Sequence, residues 1–302
     1  MVINEQISQV KSATALRFNE LWRQNFLANQ NAIRRNPGVI ALKQKFKDIP
    51  SIVIGAGPSL DKNIRLLRQA AGKTILFSSD AALKPLLHHN IEPSFVVCLD
   101  PQADIAKFLT DVSHRNITLV APSIIHPQVL DLWEGSVVFY HKYAPDIPLL
   151  TEIQQQIPHI GVLTPGGTVL SVAYDLAFQT GGNPIIFIGQ DLSYPKNNTH
   201  SRSSEYFEEI LDHTLENQTD NIVFEKDING TTLPTLKSMA VSKQWFNWAF
   251  TTWKRENPTA IINCSEAGIL TENCFLMTLC EAIHKHCHKT VNAPWLIKKA
   301  LK

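Results

Sequence analysis

The sequence predicts an α/β protein: a Rossmann-like parallel sheet with helices on both faces, and helical additions at its amino- and carboxyl-terminal ends. Three observations predict it. Short apolar, β-branched runs alternate with helical patterns from residue 51 to residue 188. The first run, Ser51-Ile52-Val53-Ile54, stops at a glycine turn, Gly55-Ala56-Gly57-Pro58-Ser59, that opens a helix. The residues after successive runs are small, hydroxylated, amide or acidic, as expected at the ligand-binding edge of a parallel sheet.

In chain order, residues 1–48 read as a helical amino-terminal extension. Phe18, Trp22 and Phe26 fall four apart and form a core-facing stripe, Pro37-Gly38 is a break, and a short helix over Val39 to Lys47 leads to the first strand. The helix after the glycine turn carries Leu60, Ile64 and Leu67 at helical spacing, with Asp61 in its positive first turn and Gly72 as its stop. Strands are expected at Thr74–Phe77, Phe95–Leu99, Ile117–Val120, Val137–Tyr140 and Ile185–Ile188. Helices are expected at Ala81–His89, Ala103–Leu109 and Val169–Gln179, the last capped by Gly181-Gly182. This gives a nucleotide-binding α/β domain over residues 49–204. Residues 205–302 read as a mainly helical region packed on it, with a tryptophan-bearing helix at Ala240–Glu256 and a short apolar run, Ala260 to Ile262, as a candidate strand.

Composition bounds the function. With 44% hydrophobic residues and a net charge of +1 the chain is an ordinary globular protein, with no charge excess that points to nucleic acid. No apolar stretch is long enough to span a bilayer, and the start lacks a basic segment followed by an apolar run. Five cysteines without a CxxC pair fit reduced thiols, so a cytoplasmic location is expected and sequons such as Asn197-Asn198-Thr199 carry no meaning as glycan acceptors.

Strand, glycine turn and helix start together expose backbone N–H groups, the usual cradle for a nucleotide phosphate. The bland reading is that these glycines only make a tight turn. Neither standard nucleotide motif applies: Leu60 stands where a dinucleotide fingerprint needs its third glycine, and no Gly-Lys-Ser/Thr follows. The candidate nucleotide site is Gly55, Ala56, Gly57, Pro58, Ser59, Leu60, Ser79, Asp80, Asp100, Thr168, Gly189, Gln190 and Tyr194. Thr168 ends a second glycine turn, Thr164-Pro165-Gly166-Gly167-Thr168, before a helix. Asp191, just after a strand, and His200, in the polar loop Ser193 to Arg202, are the candidate catalytic groups. In the tail, His284 and His288 would share a helix face, but a third metal ligand is not evident.

Ile54-Gly55-Ala56-Gly57-Pro58-Ser59-Leu60-Asp61, Asp80-Ala81-Ala82-Leu83 and Pro93 to Asp100 together resemble the central domain of the bacterial motility accessory factors; Ile188 to Tyr194 followed by Thr199-His200 resembles a second signature of that family. The resemblance runs from about residue 35 to about residue 270. It implies a sialyltransferase-like nucleotide-binding fold that transfers nonulosonic acids from CMP-activated donors to Ser or Thr of flagellin. The related archaeal 6-hydroxymethylpterin pyrophosphokinases share the Gly-x-Gly-Pro-Ser-Leu turn and use ATP with a divalent cation. The larger family members carry an additional amino-terminal domain that these residues do not include, and Glu266-Ala267-Gly268 stands where the family has a Gly-Gly pair.

Three readings follow. The favoured one is a glycosyltransferase moving a sialic-acid-like sugar from a CMP-activated donor to a hydroxyl, a protein Ser or Thr among the candidate acceptors. Here Gly55 to Leu60 hold the nucleotide, Ser79, Asp80 and Asp100 contact ribose or base, Thr168 and Tyr194 meet phosphate or sugar, and His200 acts as general base; this chemistry requires no metal. The alternative is pyrophosphoryl transfer from ATP to a hydroxymethylpterin-like molecule, with Mg²⁺ on Asp100, Asp104 and Asp191. The third is a non-catalytic nucleotide-fold module that binds a partner through its tryptophan helix.

Overall fold

The computed structural model describes residues 5–112, 115–195, 198–205 and 221–302. Its centre is a nine-stranded, all-parallel sheet in the order β11-β10-β7-β1-β2-β3-β4-β5-β6. The strands are β1 (Ser51–Ile54), β2 (Ile75–Ser79), β3 (Phe95–Val97), β4 (Thr118–Pro122), β5 (Val137–Lys142), β6 (Val162–Leu163), β7 (Ile185–Ile188), β10 (Ile261–Asn263) and β11 (Phe275–Leu276). A separate antiparallel hairpin pairs β8 (Ile222–Lys226) with β9 (Thr232–Leu236).

The strands read as unbroken apolar runs because both faces are covered. Val53 is flanked in register by Phe77 and Phe187. With Phe95, Val97 and Tyr140 they form one core with α7 (Val169–Gln179), α8 (Lys237–Glu256) and α10 (Ala293–Ala300). Ile52 and Ile54, one residue to either side, point the other way onto α2 (Leu60–Asn63), α3 (Leu67–Ala70), α4 (Leu83–His88) and α9 (Leu279–His286). Further along that face, Val96, Leu119 and Phe139 pack under α1 (Glu5–Arg35), α5 (Pro127–Leu132) and α6 (Pro148–Gln156). Trp22 and Phe26 are buried in that cluster, so the amino-terminal aromatic stripe is core.

The expected strands are present, with shifted ends. Ser78 and Ser79 belong to β2 rather than to the turn after it. The expected first helix is two short α-segments joined by 3₁₀ geometry, closed by Gly72 at φ +67°, and the Ala103–Phe108 segment is 3₁₀ throughout. Beyond residue 204, among the described residues, β10 falls on the apolar run expected as a strand, and β10 and β11 extend the main sheet from β7. The tryptophan helix packs one face on the core, with Trp245 buried and Trp248 and Trp253 partly buried. Trp253 stacks on Tyr174 at 5.3 Å and 8°, and Trp245 lies edge-on to the same ring at 6.4 Å. These tryptophans pack against the core.

Candidate active site at the sheet switch point

The chain lays β2 through β6 to one side of β1 and then returns to place β7 on its other side. The carboxyl ends of β1 and β7 are therefore the topological switch point, where open α/β sheets bind ligands. Gly55 to Leu60 leave β1 there and Gly189 to Asp191 leave β7 there.

The two loops are stitched together. Gly57 N–H donates to the Gly189 carbonyl at 3.0 Å, Ser59 N–H donates to Asp191 Oδ2 at 2.8 Å, and Ser59 Oγ donates to Asp191 Oδ1. Gly55 N–H donates to Ile188 O at 2.9 Å and Leu60 N–H to Gly57 O at 3.0 Å. The amides of Gly55, Gly57, Ser59 and Leu60 are thus engaged within the chain, and the anion at the start of α2 is the protein's own carboxylate. The glycines serve close approach: a Cβ on Gly55 would lie 2.4 Å from Gly189 O and 2.5 Å from Leu170 Cδ1, and one on Gly57 would lie 2.8 Å from Asp191 Oδ2. Burial raises the Asp191 pKa to about 6, against the lowering effect of the two Ser59 bonds.

The second glycine turn differs. Its frame is fixed by Thr164 N–H donating to Asp175 Oδ2 at 2.6 Å and Gly166 N–H to Ser171 Oγ at 2.6 Å. Gly166 leaves room for Trp245, whose ring carbon would be 2.1 Å from an added Cβ, and Gly167 sits at φ +97° against Ser242. Thr168 is the extended N-cap residue of α7, yet its hydroxyl makes no capping bond and is buried without a partner. Leu170, in the same turn of α7, reaches Gly55, so this helix start borders the switch point.

Two further buried groups have unmet hydrogen-bonding capacity. Gln190 Nε2 and Ser201 Oγ have no partner, and both residues are almost fully buried. Ser201 N–H donates to Ala56 O at 2.9 Å, Arg202 N–H bonds the Asp61 carboxylate at 3.2 Å, and Lys84 pairs with Glu205 at 2.5 Å. This loop thereby crosses the ends of β1 and β2 and carries His200 with it. Burial lowers the His200 pKa to about 4, which leaves the imidazole neutral at physiological pH. Lys196 and Asn197 of the same loop lie outside the described residues. Tyr194 is buried under the hairpin, with its N–H on Pro234 O at 3.4 Å, and Thr235 Oγ1 donates to Leu192 O at 2.6 Å.

Asp80 and Asp100 follow β2 and β3. Asp80 is buried, accepts from Ala81 N–H at 2.8 Å, and has its pKa raised to about 7, first by burial and further by the Asp100 charge. Ser79 caps the next turn by accepting from Ala82 N–H at 3.2 Å. Asp100 accepts from Gln102 N–H at 2.8 Å. Three strand spacings separate β3 from β7, about 14 Å at about 4.8 Å each. Asp100, Asp104 and Asp191 are therefore not ligands of one ion, and among the described residues no group of three His, Cys, Asp or Glu is arranged to hold a metal. The His284–His288 helix face is also corrected: α9 ends at His286.

The sequence reading missed Asp175 and Ser201 as parts of this arrangement. A carboxylate inside the apolar stretch Val-Ala-Tyr-Asp-Leu-Ala was the available signal for Asp175.

A model of the family described as 6-hydroxymethylpterin diphosphokinase MptE-like matches residues 24–197. The chain belongs to the MptE-like family. An uncharacterized protein of Treponema pallidum (strain Nichols) is 25% identical over 198 residues, covering 65% of this chain and 34% of its own length. The structure of a MAf glycosyltransferase from Magnetospirillum magneticum AMB-1 superposes with a TM-score of 0.62 at 20% identity, covering 84% of this chain and 36% of that one. The MptE-like chain thus spans about a third of the length of these relatives and shares the solved structure's fold. No helix among its described residues is long and apolar enough to cross a membrane.

Proposed function

We propose that the chain is a nucleotide-dependent transferase that binds its donor along the carboxyl edge of the sheet, with the phosphate at the start of α7 rather than at the Gly55–Leu60 turn. The observation that carries this reading is the uncapped N-terminus of α7, with the Thr168 hydroxyl buried and unpartnered beside the switch point. Buried polar groups are almost always bonded, so such a hydroxyl marks where a ligand oxygen belongs. Gln190 Nε2 and Ser201 Oγ, on the chain that leaves β7, add further buried groups with unmet hydrogen-bonding capacity. Asp80 and Asp100, one and two strands from β1, are suited to ribose hydroxyls or a base edge.

Neutral donors and a helix dipole suit a single phosphate, which favours a CMP-activated acidic sugar as donor. The acceptor oxygen would bond to the anomeric carbon as the bond to the phosphate oxygen breaks, CMP leaving with the electron pair. Neutral His200 can take the acceptor's proton, and Asp191 holds the β1 and β7 loops in place. A second reading, ATP-dependent diphosphoryl transfer to a hydroxymethylpterin-like acceptor, is favoured by the family match over residues 24–197. That chemistry would draw on Mg²⁺ to offset the phosphate charge; Asp80 and Asp100, on adjacent strand ends, are the carboxylate pair that would help to hold it.

Calorimetric titration with CMP and with ATP, each with and without Mg²⁺, separates the two. CMP binding that is indifferent to Mg²⁺ is the expected result. Binding of ATP alone, and only with Mg²⁺, would replace the first reading by the second.

A further inference from the structure

The net charge of +1 is spread unevenly along the chain. Between Glu20 and Asp48, and again over residues 282–302, there is no Asp or Glu, and both stretches carry clustered lysines. The fold anchors the two at the amino edge of the sheet, opposite to the switch point. Gln44 and Phe46 N–H donate to Gln179 O and Thr180 O at 2.9 and 2.8 Å, where α7 ends ahead of β7. Val291 N–H donates to Gly72 O at 2.7 Å, in the turn ahead of β2. From there α10 runs against the 3₁₀ turn Val39–Leu42, and its Ala293 and Ile297 enter the same core as Val39, Leu42 and Phe46.

Burying that side of α10 turns the other outward. Trp295, Lys298 and Lys299 share the outer face, with Lys302 just past the helix end, and all four are exposed. The neighbouring stretch adds exposed Lys43, Lys45 and Lys47. Among the described residues none of these six lysines is in an ion pair. Two large apolar side chains stand out beside them: Ile40 and Trp295 are each 54% exposed. Trp295 is held in place, with Lys299 Nζ 4.9 Å from its ring centroid and its backbone N–H donating to Asn292 Oδ1 at 3.0 Å.

This combination discriminates among polyanions. An aliphatic side chain such as Ile40 gains nothing on a sugar-phosphate backbone, whereas it and a tryptophan both gain at the boundary between lipid headgroups and acyl chains. The cations are lysines, point charges on long stems, suited to a diffuse anionic surface while the stems lie along apolar neighbours.

We propose that this face docks the protein on an anionic lipid surface, with the six lysines over the headgroups and Ile40 and Trp295 entering the acyl boundary. Because the face is anchored at the amino edge, docking leaves the switch-point crevice open to solvent.

The test is co-sedimentation of the full chain with vesicles of equal parts phosphatidylglycerol and phosphatidylcholine, and with vesicles of phosphatidylcholine alone. Partitioning onto the anionic vesicles should be at least about tenfold stronger. A triple variant, Lys298→Glu with Lys299→Glu and Lys302→Glu, should lose about tenfold or more of it, and Trp295→Ala about threefold or more. The changed side chains are exposed, so the melting temperatures of both variants should match the wild type. Equal partitioning onto the two kinds of vesicle, none onto either, or anionic partitioning that either variant leaves intact would overturn the proposal. Binding of labelled duplex DNA that the triple variant loses, without partitioning onto the anionic vesicles, would overturn it in favour of a nucleic-acid surface.

Discussion

The two glycine turns look alike in sequence and do opposite things in the structure. Both carry paired or near-paired glycines and both open a helix at the carboxyl edge of the sheet. In Gly55–Leu60 the amides of Gly55, Gly57, Ser59 and Leu60 all have partners inside the chain, and Asp191 supplies the anion that the helix start attracts. In Thr164–Thr168 the glycines make way for Trp245 and Ser242, and the helix start is left uncapped with a buried hydroxyl unpaired. A glycine turn is therefore a statement about close packing first. Whether it binds a ligand depends on which of its donors remain unsatisfied.

Substitutions at the first turn should act on stability above all. Gly57→Val forces a side chain onto Gly189 O and the Asp191 carboxylate, and should cost about 3 kcal/mol or more. Urea unfolding reads this directly; a variant as stable as the wild type would break the comparison at its firmest point.

Asp80 extends the contrast to the next strand end, since it too is buried with few bonds. Its folded pKa, about 7, stands above the ordinary 3.8, so the native state keeps a proton that the unfolded chain releases. Asp80 thus penalises the fold nowhere below pH 3.8, and its penalty grows as pH rises to about 7. Asp80→Asn, which lacks that penalty, should gain on the wild type across this window, by on the order of a few kcal/mol at pH 8. Unfolding curves at pH 5 and pH 8 check the sign; a gap that does not widen with pH would contradict it.

A smaller effect is expected at Asp191. Asp191→Asn keeps the size but weakens the bonds from Ser59, so stability should fall by about 1–2 kcal/mol. In Thr168→Val, by contrast, an unpaired hydroxyl gives way to a methyl, and the melting temperature should hold or rise. Thermal unfolding of the two side by side tests the assignment of the first turn to structure and of the second to binding.

Much of the fold was legible because buried parallel strands declare themselves as apolar runs, and because the switch-point logic needs only strand order. Thr168 could be nominated from its place ahead of a helix. What could not be read was which donors stay free: the Ser59–Asp191 link joins residues 132 apart, and the demand for Gly166 comes from Trp245 in the helix that directly follows the hairpin. The hairpin β8–β9 and the short strands β6 and β11 also escaped notice. Two-residue strands carry no periodicity, and Ile222–Lys226 is half-exposed, so its apolar signal is diluted.

The most direct test of the central claim is CMP affinity of the wild type against Thr168→Val, by calorimetry on the full chain. A phosphate held by the Thr168 hydroxyl predicts at least about tenfold weaker binding, the loss expected for a hydrogen bond to a charged group, with the melting temperature unchanged or higher. Unaltered CMP affinity in that variant would contradict the placement of the phosphate at the second turn.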